Sequence, residues 1–260
     1  MNQLTRQIYT MKTIIITLLL LTFTTSTVLA QQDEITTAEG TLTLTPILHS
    51  TMALEFKGKT IFVDPYGGAT KFEGLGNPDL ILITDIHGDH LNMDTLTELN
   101  TEHTTFLVPQ AVKEKMKGVD AKEILVIANG EREDWSGIGI EALPMYNLPE
   151  TEDSRHPKGR GNAYVLTFAD KWVYLSGDTE DIPEMRALKN IDYAFVCMNL
   201  PYTMDINQAA SAVLDFAPGV VYPFHYRGGG GQFSDVEAFK TLVNEENPSI
   251  EVRLRDWYVN

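Results

Sequence analysis

Residues 79–91 read Asp79-Leu80-Ile81-Leu82-Ile83-Thr84-Asp85-Ile86-His87-Gly88-Asp89-His90-Leu91. The first half is an apolar run of the length expected for a strand buried on both faces. The second half places four side chains able to bind a metal, Asp85, His87, Asp89 and His90, within six residues. An ordinary turn needs neither two imidazoles nor two carboxylates. The pattern predicts one wall of a metal site at the end of a strand. Four donors this close along the chain cannot all meet one ion at tetrahedral angles, but they suit two neighbouring ions.

Working outward, residues 41–48 alternate polar and apolar and predict a strand. Strands are expected at 52–57 and 60–64 around a turn at 58–59, and Asp64-Pro65-Tyr66-Gly67-Gly68 breaks the sheet. A helix is expected near 94–100, capped by Asp94 after Asn92. Short strand and helix signals alternate over 105–127, a strand is expected at 139–145, and 147–161 reads as loop. A second hairpin, 163–169 with 171–176, opens the second half. Helices at 183–189, 206–216 and 234–245 then alternate with strands at 192–197, 219–224 and 250–254. Each half starts with a hairpin and goes on in strand–helix alternation, with no Pro- or Ser-rich linker between the halves. The pattern predicts one α/β domain of two sheets with helices outside them.

Composition limits the function. The 260 residues are 43% hydrophobic and carry a net charge of −16, which disfavours nucleic acid and anionic membranes as partners. Cys197 is the only cysteine, so neither an intrachain disulfide nor a thiolate zinc cluster can form. Lys12, the apolar stretch Ile14 to Leu21 and the small-residue end Val28-Leu29-Ala30 have the layout of a secretory signal peptide, with Met11 an alternative start. Cleavage after Ala30 is expected, leaving a domain of residues 31–260. It removes Arg6 and Lys12 and no acid, taking the net charge from −16 to −18. The expected product is exported, periplasmic or extracellular, with no stable membrane anchor.

Two later strand ends carry matching chemistry. Asp178 follows a strand in Ser176-Gly177-Asp178-Thr179, and His225 follows another in Pro223-Phe224-His225-Tyr226. Taken alone, Asp178 reads as a turn residue, His225 as a core histidine, and Asp89-His90 as a helix cap. Beside one another they read as a shared centre.

Together these motifs resemble the metallo-β-lactamase fold hydrolases. Thr84-Asp85-Ile86-His87-Gly88-Asp89-His90 is similar to that family's Thr-His-x-His-x-Asp-His. His49-Ser50-Thr51-Met52 with Val63-Asp64-Pro65 resembles its opening hairpin, and the Asp178 and His225 motifs resemble its later ligands. The branch that looks most similar holds the ascorbate-6-phosphate lactonase-like and N-acyl-phosphatidylethanolamine phospholipase D-like proteins. The resemblance implies a four-layer αββα sandwich with two divalent ions between the sheets, Zn²⁺ favoured over Mn²⁺ or Fe²⁺. Asp85, His87 and a donor from the 147–156 loop, Asn147 or His156, would hold one ion. Asp89, His90 and His225 would hold the other, and Asp178 would bridge. Asp85 stands where the family has its first His, adding a negative charge and a harder oxygen donor. Asn147 stands where a His is usual.

The reaction implied is hydrolysis of an ester, lactone, amide or phosphodiester by metal-activated hydroxide, with Asp89 and Asp178 catalytic. A non-catalytic metal-binding protein and an iron-dependent oxidoreductase are the alternatives that the same fold allows. The substrate is expected to be a small molecule with anionic groups. Candidate substrate contacts are His49, Lys158, Arg160, Tyr202 and Arg227, since basic groups in an acidic chain suit phosphate or carboxylate.

Overall fold

The computed structural model describes residues 31–258; the expected signal peptide at 1–30 lies outside them. The first sheet takes its strands in chain order: β1 (Asp33–Thr37), β2 (Gly40–Leu48), β3 (Thr51–Phe56), β4 (Lys59–Val63), β5 (Leu80–Leu82), β6 (Thr105–Val108) and β7 (Glu123–Val126). Pairing is antiparallel from β1 to β4 and parallel from β4 to β7. The second sheet holds β8 (Arg132–Trp135), β9 (Ile138–Met145), β10 (Gly161–Phe168), β11 (Lys171–Leu175), β12 (Tyr193–Cys197), β13 (Val220–Phe224) and β14 (Glu251–Val252). It repeats the switch, antiparallel from β8 to β11 and parallel from β11 to β14.

Alternation along β5 shows how the layers arise. Leu80 and Leu82 join Leu54, Tyr164 and Leu166 in the core between the sheets. Ile81 and the following Ile83 pack on the other side, with Phe62, Phe106, Leu96 and Val112. Leu96 comes from α1 (Met93–Glu98) and Val112 from α2 (Gln110–Lys115), so helices cover that outer face. A strand buried on both faces needs an unbroken apolar run, and residues 80–83 provide one. The second sheet is covered by α3 (Pro183–Arg186), α4 (Ile206–Phe216) and α5 (Val236–Glu246). Ala209, Ala212, Val213 and Phe216 of α4 are buried, and Phe216 meets Tyr174 edge-on at 6.0 Å. Helix, sheet, sheet, helix is the expected αββα order.

Local chemistry sets the boundaries. Asp205 and Gln208 form a capping box at the start of α4, with Asp205 accepting from the Asn207 and Gln208 amides. Asn92, not Asp94, caps α1, because its side chain accepts from Thr95 N at 2.9 Å. The turn expected at 58–59 lies one residue earlier, at Lys57-Gly58, both at positive φ. The helix expected over 183–189 ends at Arg186, and the strand expected over 250–254 keeps two residues. Two strands have no counterpart in the sequence reading. β1 alternates buried and exposed as Asp-Glu-Ile-Thr-Thr, where acidic residues hide the pattern, and β8 is a charged sheet edge, Arg-Glu-Asp-Trp.

The two sheets come into close contact where β10 begins. A Cβ on Gly161 would stand 2.5 Å from Met145 Cε and 2.7 Å from Thr84 O, so only glycine fits. Asn162 N then donates to Thr84 O at 2.9 Å. The backbone just before Asp85 is thereby fastened to the second sheet. No helix among the described residues is long and apolar enough to cross a membrane.

Candidate metal centre

The residues after β5 turn tightly, with His90 N and Leu91 N both donating to His87 O at 3.0 and 2.8 Å. That turn presents Asp85 and His87 to one side and Asp89 and His90 to the other. One donor atom from each of Asp85, His87 and His156 lies within 4.8 Å of the others, and the same holds for Asp89, His90 and His225. Asp178 stands between the two groups. Its Oδ2 is 3.2 Å from His156 Nε2 and 3.4 Å from His90 Nε2, and its Oδ1 is 3.3 Å from His225 Nε2.

The donor set fits metal ions. Six buried side-chain polar atoms lack a hydrogen-bond partner among the described residues, and four of them are His87 Nδ1, His90 Nε2, His156 Nε2 and Asp178 Oδ1. Unpaired buried polar atoms are costly, and here they converge on one place. His87 Nδ1 lies against Asp85 Oδ2 without hydrogen-bond alignment.

Three of the four imidazoles are held from behind, as metal-binding histidines usually are. His90 Nδ1 meets Asp64 Oδ2 at 2.7 Å, while Asp64 also accepts from Thr84 N and Thr84 Oγ1. His156 Nδ1 meets Asn147 Oδ1 at 3.0 Å, and His225 Nδ1 meets His49 Nδ1 at 3.2 Å. Asp64, His49 and His225 have φ values of 44, 55 and 45°, uncommon for residues with side chains and clustered at this one site.

Charge follows this arrangement. His90 is fully buried, which disfavours its cation, but Asp178 and Asp64 beside it raise its pKa well above the usual value. Asp178 is pushed the other way: burial opposes ionisation, and the neighbouring histidines His225 and His90 overcome it. Asp85 is lowered to about 2 against its burial, by the close His87 ring and by the charges of His90 and Arg160. Burial, then His225 and Arg227, lower His49 to about 3, so it is a neutral support at neutral pH.

The structure places the other residues expected at the site as follows. The Asn147 amide is bonded within the protein on both its atoms. Its Oδ1 accepts from His156 N at 2.8 Å and from the His156 ring, and its Nδ2 donates to Glu180 Oε1 and Tyr202 O. It positions His156, whose ring nitrogen completes the group with Asp85 and His87. His49 backs His225 and contacts Arg227 rather than open space. Lys158 Nζ is paired with Glu184 at 2.9 Å beside the Tyr146 ring. Arg160 rests on Asp85, and the Tyr202 ring lies under Arg155 at 4.4 Å.

Two contributors were not identified from the sequence. Asp64 carries its signal in Val63-Asp64-Pro65, a carboxylate at the end of a buried strand. Asn199 gives none. Its Nδ2 lies 3.3 Å from His225 Nε2, and the Thr203 hydroxyl holds its Oδ1. Gly228 is required by the same loop, since a Cβ on it would stand 1.9 Å from Leu200 O.

An αββα sandwich with two ligand triads joined by an aspartate at its strand ends defines a metal-dependent hydrolase. The model of the Beta-lactamase superfamily domain matches residues 43–225, and the chain belongs to that family. A metal-dependent hydrolase from Parabacteroides distasonis has a solved structure with 36% identity and a TM-score of 0.76, covering 87% of this chain and 98% of its own. A UPF0173 metal-dependent hydrolase of Pyrococcus abyssi is 26% identical over 200 residues, 72% of this chain and 86% of that one. The structure of Igni18, a metallo hydrolase from Ignicoccus hospitalis, shares the fold at 24% identity and a TM-score of 0.68, covering 83% and 95%.

Proposed function

We propose that this chain is an exported hydrolase whose dinuclear centre opens an ester, lactone, amide or phosphodiester bond in a small molecule. The observation that carries the reading is the convergence of four unpaired buried donor atoms on one strand-end cleft. Two divalent ions, with Zn²⁺ favoured, would supply Lewis acidity and a water of lowered pKa there. The rest is the chain's own work. Asp85, His87 and His156 hold the first position, Asp89, His90 and His225 the second, and Asp178 spans both. Asp89, partly exposed beside His225, orients the attacking water. Asn199 offers an amide donor to oxygen at the second position.

The rim suggests the kind of substrate. The loops carrying Asn147 and Asn199, and the loop after His225, each expose one large apolar side chain: Leu148, Leu200 and Phe233. Arg155 stacks on Tyr202 between the first two loops, and Arg227 stands beside His49. A substrate with an anionic group and an apolar group fits this mixture. Export rests on residues 1–30 alone.

The test is elemental analysis of protein purified without added metal, followed by a panel of esters, lactones, amides and phosphodiesters. The expected result is bound divalent metal and turnover, with Asp178→Ala and His90→Ala losing both. Turnover at the wild-type rate in either metal-stripped variant defeats the reading.

A further inference from the structure

The two ligand triads differ in one respect. Asp85 is buried, and a permanent cation already sits on it. Arg160 Nε donates to Asp85 Oδ1 at 3.3 Å and its Nη2 to Oδ2 at 3.5 Å. The guanidinium forks the carboxylate, a geometry that a lysine cannot reproduce. In the second triad no arginine or lysine touches Asp89, His90 or His225 among the described residues. A second carboxylate, Asp64, backs His90 there instead.

The Arg160–Asp85 contact is built into the backbone. Arg160 Nη2 also donates to Arg155 O at 2.5 Å, and Arg160 N donates to Pro157 O at 3.3 Å. The next residue is Gly161, where the start of β10 presses on Thr84 O. Arg160 therefore precedes a fixed strand, and Asp85 follows the residue to which that strand is tied. The backbone beneath both side chains is thereby held in place.

We propose that Arg160 is a resident counter-ion that makes the first metal position the weaker and more readily exchanged of the two. An ion approaching Asp85 must share its oxygens with a bound guanidinium, and it meets a ligand whose charge is already balanced. The second position keeps Asp89 free of any arginine or lysine and has Asp64 behind His90, so it fills first. Arginine does not lose its charge at any working pH, so the effect is always present. The centre retains a fixed positive charge beside the first position, which also suits an anionic substrate group. The inference rests on the dinuclear reading above.

The experiment is calorimetric and elemental titration of chelator-stripped protein with Zn²⁺ and with Mn²⁺, none of which depends on turnover. The wild type is expected to bind in two unequal steps, or to hold one ion. Asp85→Asn marks the weaker step by removing it, and Asp89→Asn weakens the tighter one. Arg160→Gln should tighten the weaker step by roughly ten- to hundredfold, the value of a charged hydrogen bond no longer competing, and leave the tighter step alone. Arg160→Lys keeps the charge without the fork and should fall between. Because it retains the cation over Asp85, it also serves if Arg160→Gln does not fold. An unchanged or weakened step in Arg160→Gln, or in Arg160→Lys if that is the folded variant, overturns the proposal. A wild type that binds no ion overturns the dinuclear reading itself.

Discussion

The two halves of the chain are built alike and contribute to the centre in opposite ways. Each half is a seven-stranded sheet that switches from antiparallel to parallel pairing midway. The first half spends its donors in one burst, four between Asp85 and His90 on a single loop. The second spreads three, His156, Asp178 and His225, over a loop and two strand ends about 70 residues apart. Neither half holds either ion position by itself. The first half sets the spacing of the two positions, and the second closes each and joins them. Concentrated donors fix geometry locally, whereas dispersed donors make the site depend on the docking of two sheets.

The most damaging change should be at the single residue that both triads share. Asp178→Asn removes the charge that spans them and should cost more than about a hundredfold in metal affinity, beyond the usual loss for a residue behind a ligand. The check is metal content after dialysis against a weak chelator; a variant that keeps both ions would show that the halves are not joined there. Next is the support behind the concentrated loop. Asp64→Asn should weaken the second position by roughly 10- to 100-fold. It should also flatten the pH dependence of binding. A metal held by His90 would have to displace its proton, so wild-type affinity is expected to climb as pH rises through the raised His90 titration. Titrations at several pH values would show an unchanged slope if Asp64 does not set that proton.

The matching support in the dispersed half should matter less. Asn147→Ala frees the His156 ring but leaves Asp178 facing it, so roughly tenfold at the first position alone is expected. Equal weakening of both positions would contradict the separation of the triads. The smallest effect belongs to Lys158→Ala, which removes a solvent-exposed pair with Glu184 and should change metal affinity by less than about twofold. A larger change in the same titration would bring the 147–160 loop into the centre through that lysine.

The same contrast explains what the sequence made legible. Layering followed from apolar periodicity, because residues 80–83 have to be covered on both faces. The first triad's Asp85 and His87 and the second's Asp89 and His90 stood out because they are adjacent in sequence. Asp178 and His225 could be read once their strand ends were set beside that loop. Asn147 and His156 could not be separated, because both lie in one loop and only the carboxamide's other bonds show which faces inward. Asn199 and the Arg160–Asp85 fork lie beyond sequence reasoning for the same reason. Each depends on a contact between segments 26 or 75 residues apart, with no periodicity to announce it. β1 and β8 were hidden by charge, since edge strands are kept polar to discourage pairing with other chains.

The position of His225 has a consequence for timing. It closes the second triad just past a strand whose Phe224 packs against Trp257, and it is the last of the donors to be made. A nascent chain displays Asp85 to His90 long before it owns the other three donors. Assembly of both donor groups therefore waits until the second sheet has docked on the first. A ribosome-bound chain halted before residue 225 would carry half of the chemistry with nothing to hold it in place.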